Sequence, residues 1–207
     1  VIFLISGGGS ALACAPPEGI SLDEKLALHK FLLRSGAGIE EMNTVRKHVS
    51  VIKGGRLAAA SKGKNTSLVI SDVVGDDPAF IASGLTVQDN TTPEDALAIL
   101  DKYGFSEASC IRNYLNQALP LPKVSGDYKL VANAQSAIDA AVEKAKAAGW
   151  DTEVISYTER GEAQTVAERH AEIALEYKKR GKPILLFSGG ELTVTLGDSQ
   201  GEGGPNQ

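Results

Sequence analysis

Short apolar runs alternate along the chain with amphipathic helical stretches, and two of those runs end in Ser-Gly-Gly turns. Together these observations predict an α/β fold, a doubly wound, mostly parallel sheet with flanking helices, Rossmann-like in layout. The first run, Val1-Ile2-Phe3-Leu4-Ile5, is continuous and ends in Ser6-Gly7-Gly8-Gly9-Ser10, the pattern of a strand buried on both faces before a tight turn. A similar ending recurs at Phe187-Ser188-Gly189-Gly190. Open α/β sheets bind ligands beyond the carboxyl ends of their strands, and both turns are expected at that edge.

The remaining elements follow in order. Ser21, with Glu24 three residues on, reads as a capping box; its helix runs through Leu26, Leu28, Phe31, Leu32 and Leu33 and stops at Gly36. Shorter helices are expected over 43–52 and 54–62, then a second buried strand, Ser67-Leu-Val-Ile-Ser71. Residues 72–91 show no periodicity, and a stretch of that length in a compact domain is most often functional, disordered or a lid. Thr92-Pro93-Glu94-Asp95 opens the next helix with a cap, a first-turn proline and first-turn acids. Beyond it the pattern predicts a helix near 106–118, a strand over 128–132, a helix over 134–148 capped by Asn133, a strand over 152–157, a helix over 162–180, and strands over 183–188 and 192–196. The loop from Pro120 to Gly126 is the one plausible internal boundary, dividing residues 1–120, with the glycine loop and charged blocks, from a continuing α/β segment over 121–207.

The 207 residues are 43% hydrophobic and 23% charged, enough for a real core. Lys and Arg number 21 against 26 Asp and Glu, a formal net charge of −5, the wrong sign for a protein wrapped on nucleic acid. Cys14 and Cys110 are too few and too far apart for a zinc motif or disulfide framework, which points to buried thiols in a reducing, cytoplasmic setting. No run approaches the roughly 18 apolar residues of a membrane helix, so no membrane partner is expected. The chain opens without Met inside a strand-like run and stops in a glycine loop, so it reads as a piece of a longer two-domain protein.

The loop from Gly7 to Ser10 offers conformational freedom and closely spaced N–H groups, which suit phosphate or carboxylate oxygens. It is a poor dinucleotide fingerprint, because the third glycine position holds Leu12. It is no nucleophile elbow either, since Gly8-Gly9-Ser10-Ala11-Leu12 lacks the final glycine. A tight turn with no ligand is the ordinary alternative.

Charge order says more. Between Met42 and Ser71 stand six basic residues, Arg46, Lys47, Lys53, Arg56, Lys62 and Lys64, and no acid. From Asp72 to Leu100 stand six acids, Asp72, Asp76, Asp77, Asp89, Glu94 and Asp95, and no Lys or Arg. A basic block beside an acidic block suits a site that holds anionic oxygens and supplies carboxylates for Mg²⁺ or a general base; solvated surface faces are the competing explanation. Asp72 stands out because it follows the strand ending at Ser71, on the ligand-binding edge. His29 and His170 fall inside helices as surface or packing residues, and His48, beside Arg46 and Lys47, suits an anion contact or a structural role equally.

Six blocks in one order resemble the glycerate 2-kinase family, whose C-terminal part is the MOFRL domain: Ile5-Ser-Gly-Gly-Gly-Ser-Ala-Leu12; Asn43-Thr-Val-Arg-Lys-His48 with Ser50; Lys53-Gly-Gly-Arg-Leu-Ala58; Ser71-Asp-Val-Val-Gly-Asp-Asp77; Ile81-Ala-Ser-Gly84 with Thr86; and Gly189-Gly-Glu-Leu-Thr-Val194. The resemblance implies ATP- and Mg²⁺-dependent phosphorylation of glycerate at its 2-hydroxyl, with no nucleic acid or membrane partner and a homodimer left open. Family members are longer at both ends and carry an essential lysine in an N-terminal segment, which implies little kinase activity for this piece alone. Leu85 replaces the usual proline after Ile-Ala-Ser-Gly, and Pro205 stands where many members carry an arginine that looks catalytic. Because some relatives are called hydroxypyruvate reductases, a nicotinamide-dependent reductase is the alternative, and a non-catalytic anion-binding fragment the third.

Under the resemblance Asp72 orients or deprotonates the hydroxyl, and the amides of Gly7, Gly8, Gly9 and Ser10 bind carboxylate or phosphate oxygens. Arg46 forks onto the glycerate carboxylate, while Lys47, Lys53 or Arg56 neutralises phosphate charge and Asp76 meets Mg²⁺ through water.

Overall fold

A computed structural model describes residues 1–181 and 183–194, which fall into two compact units, Val1–Asn133 and a second beginning at Ala134. The expectations for residues 195–196 and for Pro205 lie outside the described residues.

In the first unit β1 (Ile2–Ile5), β2 (Thr66–Ile70) and β3 (Asp127–Ala132) form a parallel sheet in the order β1-β2-β3. Ile2 pairs with Thr66 and Ile5 with Val69, so the carboxyl ends of β1 and β2 open on the same edge. The strand expected to be buried on both faces is covered on one only: Ile2 and Leu4 are 69% and 79% exposed. Ile70 and Val131 are exposed as well. The unit's apolar mass gathers between helices instead, so alternate strand residues lose their cover.

Those helices are α1 (Gly9–Leu12), α2 (Leu22–Arg34), α3 (Ile39–His48), α4 (Arg56–Ala59), α5 (Pro93–Tyr103) and α6 (Ser109–Gln117). Leu28 and Leu32 of α2, Val45 of α3, Ala96 and Leu100 of α5, and Ile111 and Leu115 of α6 make one cluster with Val49 and Phe105. Burying each of the larger side chains among them contributes roughly 1.5–3 kcal/mol. The caps expected at Ser21 and Thr92 are present. Glu24 N–H donates to Ser21 Oγ at 3.2 Å and Ser21 N–H to the Glu24 carboxylate at 2.7 Å. Thr92 and Asp95 repeat the exchange at 3.1 and 2.8 Å.

Two expected helices shift. α3 begins at Ile39, because Gly38 N–H finds the Glu41 carboxylate at 3.1 Å, a start that a search for Ser, Thr or Asp caps misses. The helix expected over 54–62 shrinks to Arg56–Ala59, because Gly54 and Gly55 adopt φ of 60° and 81°. Within the long irregular segment Ile81–Ser83 form a tight turn in which Ala82 and Ser83 are left-handed.

The second unit holds α7 (Ala134–Ala147), β4 (Asp151–Glu159), α8 (Ala163–Lys179) and β5 (Ile184–Gly190), with β4 and β5 parallel. The α/β class holds in both units, as two parallel sheets among the described residues. The second Ser-Gly-Gly segment, however, is no turn. Ser188–Gly190 continues β5, pairing as far as Glu159↔Gly190, and a Cβ on Gly190 would overlap the Glu159 backbone. Glycine there permits close strand approach. Of the strand expected over 192–196, the described part makes an isolated bridge, Thr193 to Glu162. No described helix is long and apolar enough to cross a membrane.

Candidate active site

Parallel pairing of β1 and β2 sets the loop after Ile5 beside the segment after Ile70. Gly7 lies against the Asp72 side chain so closely that a Cβ on Gly7 would overlap Oδ2 and sit 3.0 Å from Cγ. Gly8, at φ 80°, turns the chain into α1, and a Cβ on Gly9 would stand 2.9 Å from that of Ala82. The loop therefore has backbone where side chains would exclude both Asp72 and the Ile81–Ser83 turn. Asp72 itself is exposed.

Ser10 Oγ and Ser83 Oγ share a hydrogen bond of 2.5 Å. Lys53, only 2% exposed, donates from Nζ to the Ser10 carbonyl oxygen and reaches Ser10 Oγ at 3.3 Å and Ser83 Oγ at 3.4 Å. The turn that carries it is tied to the same segment by Gly54 N–H to Ser83 O, 3.2 Å, and Gly55 N–H to Gly84 O, 2.7 Å. A Cβ on Gly55 would stand 2.9 Å from Val87 O, so glycine is required there. Ala82 and Ser83 hold left-handed φ of 51° and 57°, which costs non-glycine residues roughly 1–2 kcal/mol each. Strain of this kind persists where surrounding bonds over-determine the backbone, often at functional sites. Burial, with Lys25 and Arg46 nearby, pushes the Lys53 ammonium down to about 8.

Arg46 on α3 is half-buried, its Nε without an acceptor, and burial pushes its guanidinium below the usual range. Two residues of α2 share its surroundings. Lys25 is 1% exposed and His29 half-buried, and Lys25 Nζ and His29 Nε2 are buried without hydrogen-bond partners. Burial and the charges of Arg46, Lys25 and Lys53 push His29 down to about 4. The sequence pattern did not single out Lys25, treated His29 as surface or packing, and passed over Ser83. One signal was available for Lys25: it continues the stripe of Leu28 and Leu32, where an apolar residue belongs.

The rest of the basic block is otherwise engaged. Lys47 forms an ion pair with Asp89 in which both side chains are 4% exposed, and its ammonium lies 5.3 Å from the Phe80 ring centre. Asp89 also accepts from Thr91 N–H at 2.9 Å, and His48 Nε2 lies 3.1 Å from Thr91 Oγ1, within one structural network. Arg56 donates to the carbonyls of Lys47 and Lys53 at 2.8 and 3.5 Å. Lys62 and Lys64 are exposed.

Asp76, at φ 53°, accepts from Asn133 Nδ2 at 2.6 Å, while Asp77 accepts from Ala79 N–H at 2.9 Å. Among the described residues no group of three His, Cys, Asp or Glu could hold a metal. A lone carboxylate still suits Mg²⁺, which keeps several waters and takes its other ligands from substrate phosphates. Both cysteines are free, but Cys14 is exposed rather than buried, and Cys110 donates to Glu24 Oε1 at 3.0 Å.

Residues 1–116 match a domain family described as a domain of unknown function, DUF4147. A protein of Agrobacterium vitis named provisionally as a hydroxypyruvate reductase is 46% identical over 215 residues, covering 100% of this chain and 49% of that protein. The glycerate 2-kinase of Pyrococcus horikoshii is 42% identical over 223 residues, covering 100% of the chain and 50% of the relative. The crystal structure of a Thermotoga maritima glycerate kinase superposes with a TM-score of 0.82 at 41% identity, covering 100% of this chain and 51% of that one. The chain thus spans about half the length of the curated relatives it matches.

Proposed function

Because the chain belongs to the glycerate 2-kinase family, with the DUF4147 domain over residues 1–116, we propose that it phosphorylates glycerate at the 2-hydroxyl, forming 2-phosphoglycerate from ATP. The observation that carries this reading is the contact of Asp72 with Gly7 at the shared carboxyl edge of β1 and β2. A carboxylate beside bare backbone can accept the proton of a substrate hydroxyl while N–H groups approach the oxygens of the same ligand.

The reaction is in-line transfer: the 2-hydroxyl oxygen bonds to the γ-phosphorus as the bond to the bridging oxygen of ADP breaks, and the hydroxyl proton passes to Asp72. Little covalent chemistry falls to the protein, which positions reactants and stabilises charge. The amides of Gly7, Gly8, Gly9 and Ser10 approach carboxylate or phosphate oxygens. Lys53 holds the loop to Ser83 and adds positive potential, and Arg46 forks onto the glycerate carboxylate. Lys47 and Arg56, assigned to phosphate from sequence, act by fixing the Asp89 network and the Lys53 turn. Asp76 would hold Mg²⁺, which when bound would neutralise charge at the phosphates.

A nicotinamide-dependent reductase fits less well. The glycine loop lacks the third glycine of a dinucleotide fingerprint, and α1, which it opens, has four residues and little dipole to offer a pyrophosphate. Two free thiols, one exposed, agree with a reducing cytoplasmic setting. The test is direct: full-length protein with ATP, Mg²⁺ and glycerate is expected to form 2-phosphoglycerate, and with hydroxypyruvate to leave NADH and NADPH unoxidised. Cofactor oxidation without a phosphorylated product overturns the reading.

A further inference from the structure

Lys25 and His29 stand one turn apart on α2, on the face that also carries Leu28 and Leu32. That face packs toward α3, which carries Arg46, and Lys53 follows in the turn after α3. Among the described residues none of the four enters an ion pair. Lys25 Nζ, His29 Nε2 and Arg46 Nε are each buried without a hydrogen-bond partner. Their charges bear on one another, since His29 is depressed by Arg46, Lys25 and Lys53, and Lys53 by Lys25 and Arg46.

An unpaired ammonium taken out of water is costly, and folded proteins leave few buried donors unsatisfied. Methionine at position 25 would extend the apolar stripe and avoid that cost. Lys53 has the Ser10 and Ser83 oxygens as acceptors and Lys25 the Cys14 thiol beside it, but among the described residues no carboxylate pairs with any of the four. Cations without a carboxylate are nevertheless what an anion requires: a point charge from lysine, a planar fork from arginine and a neutral imidazole from histidine.

We infer that Lys25, His29 and Arg46, with Lys53 behind Ser10, form a buried seat for the oxyanion of a small acid, carboxylate or phosphate. That the acid is the kinase substrate rests on the reading above; the seat itself rests on the unpaired donors.

The test is calorimetric titration of the full-length protein with sodium glycerate and, separately, inorganic phosphate, together with thermal unfolding at matched ionic strength in chloride. At least one oxyanion is expected to bind and raise Tm. Lys25→Met is expected to weaken that binding at least tenfold and, in chloride, to raise Tm, because it removes an unpaired buried charge. Arg46→Lys, which keeps the charge and loses the fork, is expected to weaken binding as well. Lys30→Met, at an exposed position of α2, is expected to change neither. Glycerate as the ligand lost assigns the seat to a carboxylate, and phosphate assigns it to a phosphoryl group.

If neither oxyanion binds the parent, or if Lys25→Met lowers Tm and leaves both affinities unchanged, the inference is overturned. The two readings fail separately. Absence of phosphotransfer with oxyanion binding lost in Lys25→Met sinks the kinase and keeps the seat. Normal phosphotransfer with both oxyanion affinities, and the KM values for glycerate and for ATP, unchanged in Lys25→Met keeps the kinase and sinks the seat.

Discussion

Gly7 leaves open the space that the Asp72 carboxylate fills: a Cβ on the glycine would overlap Asp72 Oδ2. Gly7 is not among the glycines with positive φ, so its need for a bare Cα comes from this neighbour rather than from backbone strain. Gly7→Ala is therefore expected to fold, with Tm changed by only a few degrees, while rotating Asp72 out of place. Glycerate phosphorylation is expected to fall at least about tenfold, since small misplacements of a reacting group are expensive in rate. A Gly7→Ala protein with parental kcat would show that Asp72 works from another rotamer or does not work at all.

Asp72→Asn keeps the shape and removes the base. In full-length protein kcat is expected to drop by at least about 10²-fold with a smaller change in KM for ATP, the signature of a group that acts in the transition state. Steady-state kinetics with both substrates varied will show it. A Tm loss with full activity in the folded fraction would instead make Asp72 a loop-capping residue.

The Lys47–Asp89 ion pair is almost fully buried, and breaking such a pair from one side leaves an uncompensated charge, typically costing about 3–5 kcal/mol. Lys47→Met is expected to destabilise on that scale. Lys47→Met combined with Asp89→Leu is expected to recover most of the loss, because replacing both charges with apolar groups is often neutral. Urea unfolding of the two single variants and the double variant measures the coupling.

Acid is expected to unfold the first unit through its histidines. His29 and His48 are held down to about 4, in both cases chiefly by burial, against 6.5 when unfolded. Between those values the unfolded chain binds more protons than the folded one, so stability falls as pH drops from about 6.5 to about 4 and is flat just above. Glu41, held at about 2 by Lys102 and Tyr103, acts in the same direction but only below about 4.5. His48→Gln is expected to flatten the upper part of the slope, as read from urea midpoints at several pH values. An unchanged slope would move the effect to His29 or elsewhere.

What the sequence made legible is what neighbouring residues decide. The capping box at Ser21, the cap at Thr92, the strand ending before Asp72 and the glycine loop were all readable, because cap, period and turn chemistry act over a few residues. The fates of Lys47 and Arg56 were not, since Lys47 finds its partner Asp89 42 positions away and Arg56 its carbonyl at Lys47 across a turn. Position alone could not separate a cation that binds a ligand from one that holds the fold. Gly189 and Gly190 misled for the opposite reason. Their local pattern matches the first turn, but pairing with Glu159 extends β5 through them. Lys25 was hidden by its type, because an isolated lysine on a helix normally reads as solvated surface.

Charge reversal across the basic block separates these roles in one series. Arg46, with an unpaired buried Nε, is expected to give the largest rise in KM for glycerate on Arg46→Glu, at least about tenfold, without loss of fold, because its guanidinium carries no internal ion pair that reversal would break. Lys47→Glu brings a second carboxylate against Asp89 in a site closed to solvent, and is expected to prevent folding rather than raise KM. Arg56→Glu removes donors from the Lys47 and Lys53 carbonyls and is expected to lower Tm and kcat together, through the turn that carries Lys53. Lys62→Glu and Lys64→Glu are expected to be silent in both assays, since Lys62 is exposed and the Lys64–Asp127 pair, at 3.0 Å, leaves the Lys64 side chain 80% exposed, where such pairs contribute little. Circular dichroism melts and kinetics on the five variants resolve the pattern. Equal, small changes at all five positions would make the block a solvated face and move the anion site away from α3.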